Sequence, residues 1–166
     1  MKPYLLGIDI GTSACKVAVF NRNGEVLSQA NGSYSVYYPK PGWAEQNPEE
    51  WWDAVCLAVK EALQKGEISS SQIAGVGIDG QSWSAIAVDK DGNVLTNTPI
   101  WMDTRATDIC KELRERLERM QFLSCVEIRC NRLIQLQRFF GTNKICRKYM
   151  KKHIRFCSPT VILHTN

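Results

Sequence analysis

Gly7-Ile8-Asp9-Ile10-Gly11-Thr12-Ser13-Ala14-Cys15-Lys16 packs a strand-like apolar run, a carboxylate, a glycine, two hydroxyls and a lysine into one short stretch. Tyr4 to Ile8 is apolar enough for a central strand, and Cys15 to Phe20 reads as a second strand. Gly11 between them permits a backbone conformation closed to residues that carry a Cβ. The stretch is thus a tight turn joining two strands. A Walker loop needs a longer glycine-rich spacing with a helix behind it, and a dinucleotide fingerprint needs three spaced glycines. Exposed amides of such a turn, with the Thr12 and Ser13 hydroxyls, can donate to phosphate oxygens, while Asp9 can hold a metal ion. An ordinary hairpin with a polar turn uses the same residue types, so on these residues alone both readings stand.

Downstream, Asn23-Gly24 is a tight-turn signal that lets Val26 to Val36 return as a third antiparallel strand. Pro39-Lys40-Pro41-Gly42 is a turn-rich connection into a helix. There Asn47 can cap, Pro48 suits the first helical position, and Glu49 and Glu50 suit the positive end of the dipole, with Glu50 at capping-box spacing. Trp52, Val55, Cys56, Val59 and Leu63 recur at helical spacing as the expected buried face, and core packing is the expectation for Trp51 and Trp52. Ile73 to Ile78 reads as a buried strand ending in the polar elbow Asp79-Gly80-Gln81-Ser82-Trp83, and Ala85 to Val88 continues extended to the turn at Asp91-Gly92. Gln81 and Ser82 at a strand end can meet a ligand or merely satisfy the elbow. Thr98-Pro99-Ile100-Trp101-Met102-Asp103-Thr104-Arg105 ends in a carboxylate and a guanidinium, which unaided would be a surface ion pair. A helix from about Ala106 to Leu117 is expected to follow, with Ile109, Leu113 and Leu117 on one face.

The 166 residues suffice for one domain of ordinary size. No apolar run is long enough to span a bilayer and the start does not resemble a signal peptide, so a cytoplasmic location is the default expectation. The 7 cysteines include no C-x-x-C pair and are read as reduced thiols. The net charge of +4 hides a break: residues 1–117 carry a net −4 and residues 118–166 a net +8. Two differently composed segments meet near Leu117.

Taken together, residues 4–117 resemble the N-terminal half of the first domain of the FGGY carbohydrate kinases, most closely xylulokinase-like members. The motifs carrying this are Gly7-Ile8-Asp9-Ile10-Gly11-Thr12-Ser13 with Lys16, then Trp43-x-Glu45-Gln46-x-Pro48-x-x-Trp51-Trp52, then Gly77-Ile78-x-Gly80-Gln81, then Trp101-x-Asp103-x-Arg105. Each is weak, and four in family order are strong. The resemblance implies an α/β fold of the actin and hexokinase ATPase type, ribonuclease H-like and here incomplete, with the active site between two domains. It implies ATP and Mg2+ as cofactors and a small sugar as the acceptor of a phosphoryl group. By position, Asp9 would sit near the magnesium, holding it indirectly, and the transferred phosphate. Gly11, Thr12, Ser13 and Lys16 would bind the ATP phosphates, and Gln81, Ser82, Trp83, Trp101, Asp103 and Arg105 would line the sugar side. Ser82-Trp83 replaces the usual Met-His and Trp101-Met102-Asp103 the usual Trp-Asn-Asp of xylulokinases, so another ketose, a polyol or an aldonate stays open. The family's general-base aspartate, in a G-G-x-x-D segment, has no counterpart in this sequence, and neither does its adenosine pocket. Full-length relatives can dimerise, and no membrane partner is implied.

The resemblance stops at Glu118. Codons permitted for Leu117-Glu118-Arg119-Met120-Gln121-Phe122 can, read one base out of phase, spell Gly-Glu-Asp-Ala-Ile-Phe, as found in xylulokinase-like proteins after this helix. Residues 118–166 are therefore expected to be an out-of-frame, basic, cysteine-rich and poorly folded tail ending at a premature stop, and the chain a truncated, inactive fragment. The competing readings are a noncatalytic remnant that binds sugar or phosphate, and a basic tail for nucleic acid using Arg129, Arg132, Arg138, Arg147, Lys148, Lys151 and Lys152, which lacks any recognised accompanying motif.

Overall fold

The computed structural model describes residues 3–82, 84–112 and 155–157. These fall into two compact units, one containing residues 3–36 and 46–82, the other residues 37–45, 84–112 and 155–157.

The first unit opens with the expected antiparallel meander. Strands β1 (Tyr4–Ile10), β2 (Ala14–Phe20) and β3 (Val26–Ser33) pair in sequence, so β3 ends short of Val36. Gly24 takes a positive φ of 83° at the β2–β3 turn, as Asn-Gly predicts. Strict alternation puts Leu6, Ile8, Ile10, Cys15, Val17, Val19 and Ala30 on the buried face. Each large side chain among them is worth about 1.5–3 kcal/mol relative to exposure.

Helix α1 (Pro48–Lys65) covers that face. Asn47 caps it by accepting from the Glu49 amide, whereas the Glu50 carboxylate accepts from the Ser35 amide across the unit, a tie that replaces the expected capping box. The buried stripe also differs from expectation: it is Trp51, Ala54, Val55, Ala58 and Ala62, while Trp52 is 44% exposed and Cys56 is exposed. The cause is close approach. A Cβ on Gly32 would lie 2.5 Å from the Ala54 carbonyl oxygen, and Ser28 Oγ donates to the Ala62 carbonyl at 2.7 Å. Backbones this near leave room only for small side chains such as Ala54 and Ala62 at the points of contact.

After a capped 3-10 turn (Ser70–Gln72), β5 (Ile73–Gly80) pairs parallel to β1, giving the order β3-β2-β1-β5. Its residues are half-buried or exposed, Val76 at 55%, rather than buried as its apolar run suggested. It is an edge of the described sheet, and three of its residues (Gly75, Gly77 and Gly80) have no side chain to bury.

In the second unit, the short β4 (Glu45–Gln46), whose Glu45 belongs here, pairs with β7 (Thr98–Pro99). Strand β6 (Ile86–Val88) pairs antiparallel with β8 (Arg155–Cys157), the described piece of the basic tail. The Asp91-Gly92 turn forms as expected, with Gly92 at φ 89°. The Asp89 carboxylate organises it: hydrogen bonds from the Asn93 side chain and amide, with those from Asp91 and Gly92, hold its pKa low. Residues 107–112 are helical. Leu113 and Leu117 of the expected helix lie outside the described residues. Among the described residues no helix is long and apolar enough to cross a membrane.

Candidate functional site

The turn between β1 and β2 is built by two clamps. Gly11 N donates to Ala14 O at 3.1 Å and closes it. The Gly11 carbonyl accepts from the Tyr34 hydroxyl, and the Thr12 carbonyl accepts from Gln46 Nε2 at 2.7 Å. All peptides here are trans, so each N–H points opposite to the C=O of its own peptide unit. Fixing the Gly11 carbonyl on Tyr34 and the Thr12 carbonyl on Gln46 therefore turns the Thr12 and Ser13 amides away from those two clamps, the sense in which backbone amides can meet an anion. Gly11 has no positive φ, contrary to expectation. Its need is spatial, because a Cβ there would sit 3.1 Å from the Ala14 carbonyl oxygen.

Burial, then the nearby Cys15 and Asp9, push the Tyr34 hydroxyl's pKa upward, so it stays a neutral donor. Burial and Asp9 likewise push the Cys15 thiol up to about 11. Tyr34 meets Trp51 of α1 edge-on, with centroids 6.5 Å apart.

Gln46 is fully buried and ties three parts of the first unit together. Besides Thr12, its Oε1 accepts from Trp51 Nε1 at 3.1 Å and from Gln81 Nε2 at 2.7 Å. The Gln81 amide donates to Ile10 O at 2.7 Å. The phosphate-type turn, the start of α1 and the elbow after β5 thus share one glutamine.

On the sheet face turned away from α1, the register aligns Asn31, Lys16, Asp9 and Asp79 in one row across β3, β2, β1 and β5. All four are exposed. Asp79 extends the predicted set, and the parallel one-to-one pairing of β1 with β5 puts its carboxylate on the same face as that of Asp9. Among the described residues no group of three or more His, Cys, Asp or Glu could hold a metal by itself. A magnesium ion suits this row nonetheless, since Mg2+ binds through one or two carboxylates, waters and the oxygens of a substrate phosphate.

The second unit carries a separate cluster. Arg105 binds Asp103 through Nε at 2.8 Å and Nη2 at 2.6 Å, and Glu45 through Nη2 at 2.7 Å. Its guanidinium also stacks 3.7 Å above the Trp43 ring. Asp103 in turn accepts from the Ala44 amide at 2.7 Å. The side chains of Arg105, Asp103 and Glu45 are 8%, 2% and 14% exposed, so this is an interior ion triad and not a surface pair. Burial works to lower the Arg105 pKa, and the hydrogen bonds it donates to Asp103 and Glu45 outweigh it and hold it high. The polar atoms of Asp103 and Arg105 are largely spent on this cluster, whereas Trp101, two residues before Asp103, is 54% exposed.

Of the sequence-predicted residues, the structure gathers Asp9, Gly11, Thr12, Ser13, Lys16, Gln81 and Ser82 in the first unit. It places Trp101, Asp103 and Arg105 in the second; Trp83 lies outside the described residues. Sequence reasoning missed Tyr34 and the role of Gln46 as clamps. The signal for Gln46 was its place in the Trp43-x-Glu45-Gln46 motif, and nothing local marks Tyr34.

The sequence profile of the FGGY family of carbohydrate kinases, N-terminal domain, matches residues 4–145. The glycerol kinase of Thermococcus gammatolerans is 36% identical over 114 residues, covering 69% of this chain and 23% of that protein. The Bacillus subtilis glycerol kinase is 36% identical over 117 residues, covering 70% and 24%. Among solved structures, a xylulose kinase from Brucella ovis superposes with a TM-score of 0.63 at 33% identity, covering 66% of this chain and 23% of that one. A gluconate kinase from Lactobacillus acidophilus gives 0.63 at 30%, covering 68% and 22%. The chain spans about a quarter of the length of the curated relatives it matches.

Proposed function

Because the chain belongs to the FGGY family of carbohydrate kinases, we propose that it carries the phosphate turn and acceptor-side elements of an enzyme that moves the terminal phosphoryl group of MgATP to a hydroxyl of a small polyhydroxylated substrate. The observation that carries this is the double clamp on Gly11 and Thr12, which fixes the turn beside a row bearing the exposed carboxylates of Asp9 and Asp79. Asp9, with Asp79 beside it, would hold the magnesium through phosphate oxygens and water. The Thr12 and Ser13 amides and hydroxyls, with Lys16, would take the negative charge of the phosphates. Bound magnesium would supply charge neutralisation on the transferring group.

On the acceptor side, Gln81 and Ser82 of the first unit would meet the sugar, and Trp83 and Trp101 are carried as acceptor-side residues by the family resemblance alone. Asp103 and Arg105 would act from behind, fixing the chain that presents Trp101. Xylulose is the favoured substrate by motif, with glycerol and gluconate as the alternatives that the relatives' names bring.

The sequence contains no G-G-x-x-D segment to supply the base that takes the hydroxyl proton. On this reading the 166 residues, taken by themselves, bind ligand without turning it over. The charge break near Leu117, and relatives whose matches run 114 and 117 residues, support a reading frame displaced beyond that point, although the family profile runs to residue 145; sequencing the gene around codon 117 tests it. A cytoplasmic location accompanies this reading.

The functional test is a phosphotransfer assay of the pure chain against D-xylulose, L-ribulose, glycerol and D-gluconate, beside thermal shifts with the same sugars and MgATP. The expected result is a raised melting temperature with at least one sugar or with MgATP, and no product. Turnover would refute the inactivity, and no shift with any ligand would refute the binding role.

A further inference from the structure

We propose that α1 is a homodimer interface: two copies of this chain pack antiparallel along Trp52, Cys56, Val59 and Leu63, with Asp53 of each copy meeting Lys60 of the other.

Helix α1 carries two apolar stripes, and the sheet uses one of them. Trp51, Ala54, Val55, Ala58 and Ala62 are buried, chiefly against β2 and β3. Trp52, Cys56, Val59 and Leu63 follow one another at steps of four, three and four residues along the neighbouring flank, the spacing at which a second helix packs. That flank is open. Trp52 is 44% exposed, Cys56 is exposed, and Val59 and Leu63 are only half-buried. Leu57, further round the helix, is 67% exposed. Scattered apolar residues on a surface need no partner, whereas a continuous apolar flank along a helix marks an interaction site.

The charges beside the stripe say what covers it. On its outer side lie exposed Asp53 and, two turns on, exposed Lys60. Neither makes an ion pair among the described residues, whereas Glu61 and Lys65 of the same helix pair with each other at 2.6 Å. A two-fold axis crossing α1 between Cys56 and Val59 sets Cys56 against Val59 of the second copy and Trp52 against its Leu63. Small side chains then meet at the centre and large ones at the ends. The same axis brings Asp53 of each copy to Lys60 of the other, one opposite-charge contact on each side of the seam. A parallel pair would set Asp53 level with Asp53 and Lys60 level with Lys60, leaving both charges unanswered. Antiparallel packing also opposes the two helix dipoles. The flank therefore complements itself, and the occupant it fits is a second copy of this chain.

The test is sedimentation equilibrium of the 166-residue chain over roughly a hundredfold range of concentration reaching the high micromolar, where an interface of one helix pair associates. Asp53→Lys, Lys60→Asp and an equimolar mixture of the two variants are measured alongside. Wild type is expected to pass from monomer to dimer. Each single variant sets like charges against each other on both sides of the seam, so it should dimerise about tenfold more weakly. The mixture should recover the wild-type constant, because a mixed pair regains opposite charges on both sides. Both positions are exposed, so circular dichroism and melting temperature at low concentration should match wild type. Alkylation of Cys56 should slow over the same concentration range, since the dimer covers this thiol and the monomer does not. A wild-type chain that stays monomeric throughout overturns the proposal and leaves the stripe to another occupant. Dimers indifferent to the single variants, or a mixture no tighter than its components, overturn it equally. Species larger than a dimer do so too, because a two-fold contact closes on itself.

Discussion

Replacing Gln46 with leucine removes one side chain and strands three groups. The Thr12 carbonyl, the Trp51 indole N–H and the Gln81 amide nitrogen each lose the partner described at 2.7, 3.1 and 2.7 Å. A buried polar group left unmet costs about 1–3 kcal/mol, so three of them amount to about 3–9 kcal/mol if none is hydrated. Leucine returns about 1.5–3 kcal/mol by burying apolar surface at a fully enclosed site. The turn and the elbow border exposed Ser13 and Ser82, so water meets part of the loss there, and the net destabilisation is about 3 kcal/mol. Urea unfolding followed by far-UV circular dichroism measures it, with the slope checked for constancy so that the midpoint reports stability. Gln46→Leu should also weaken phosphate binding, because a freed Thr12 carbonyl no longer fixes the Ser13 amide. A loss below about 1 kcal/mol with unchanged phosphate affinity would refute the claim that this glutamine holds turn and elbow together.

Two further outcomes follow from the same geometry. Arg105→Lys keeps the charge but cannot reproduce the fork that reaches Asp103 and Glu45 while stacking on Trp43, so it should destabilise the chain by about 2 kcal/mol, and Arg105→Met by about 3–5 kcal/mol because it leaves buried carboxylates unpaired; equal unfolding midpoints for Arg105→Lys and wild type would count against the triad. Iodoacetamide at pH 8 should label exposed Cys56 in the native state and spare Cys15 until the chain unfolds. Burial blocks Cys15, and a thiol pKa of about 11 leaves about one part in a thousand as thiolate at that pH; peptide mass spectrometry after timed quenching reads the order.

The strand–turn–strand opening was legible because its signals are local: alternation along β1 and β2, Asn-Gly at the next turn, and Asn47-Pro48 at the head of α1. The sides of α1 were not. Spacing alone offers two overlapping stripes in that helix, one through Trp52, Cys56 and Val59 and one through Trp51, Ala54 and Ala58. The choice is made by Gly32, which lies on a different element and admits the helix backbone to contact distance. Strand β5 misled for a related reason: an apolar run reports what a strand can bury, and its neighbours decide whether it does.

The Trp43-x-Glu45-Gln46-x-Pro48-x-x-Trp51 stretch shows how a motif can be recognised before its physics is. Trp43 and Glu45 hold Arg105 in one unit, while Gln46, Pro48 and Trp51 start α1 and hold the phosphate turn in the other. Along the chain, Glu45 ends a segment of one unit and Gln46 begins a segment of the other, so neighbouring residues of the motif answer to different partners. Neither glutamate nor glutamine could be exchanged: the guanidinium needs an anion, and Gln46 must accept from an indole while donating to a carbonyl, which a carboxylate cannot do. The same requirement passes along to Gln81, whose amide takes the only orientation Gln46 leaves it. The chemistry the elbow offers a ligand is thus set 35 positions earlier in the chain, by a residue placed to answer a tryptophan.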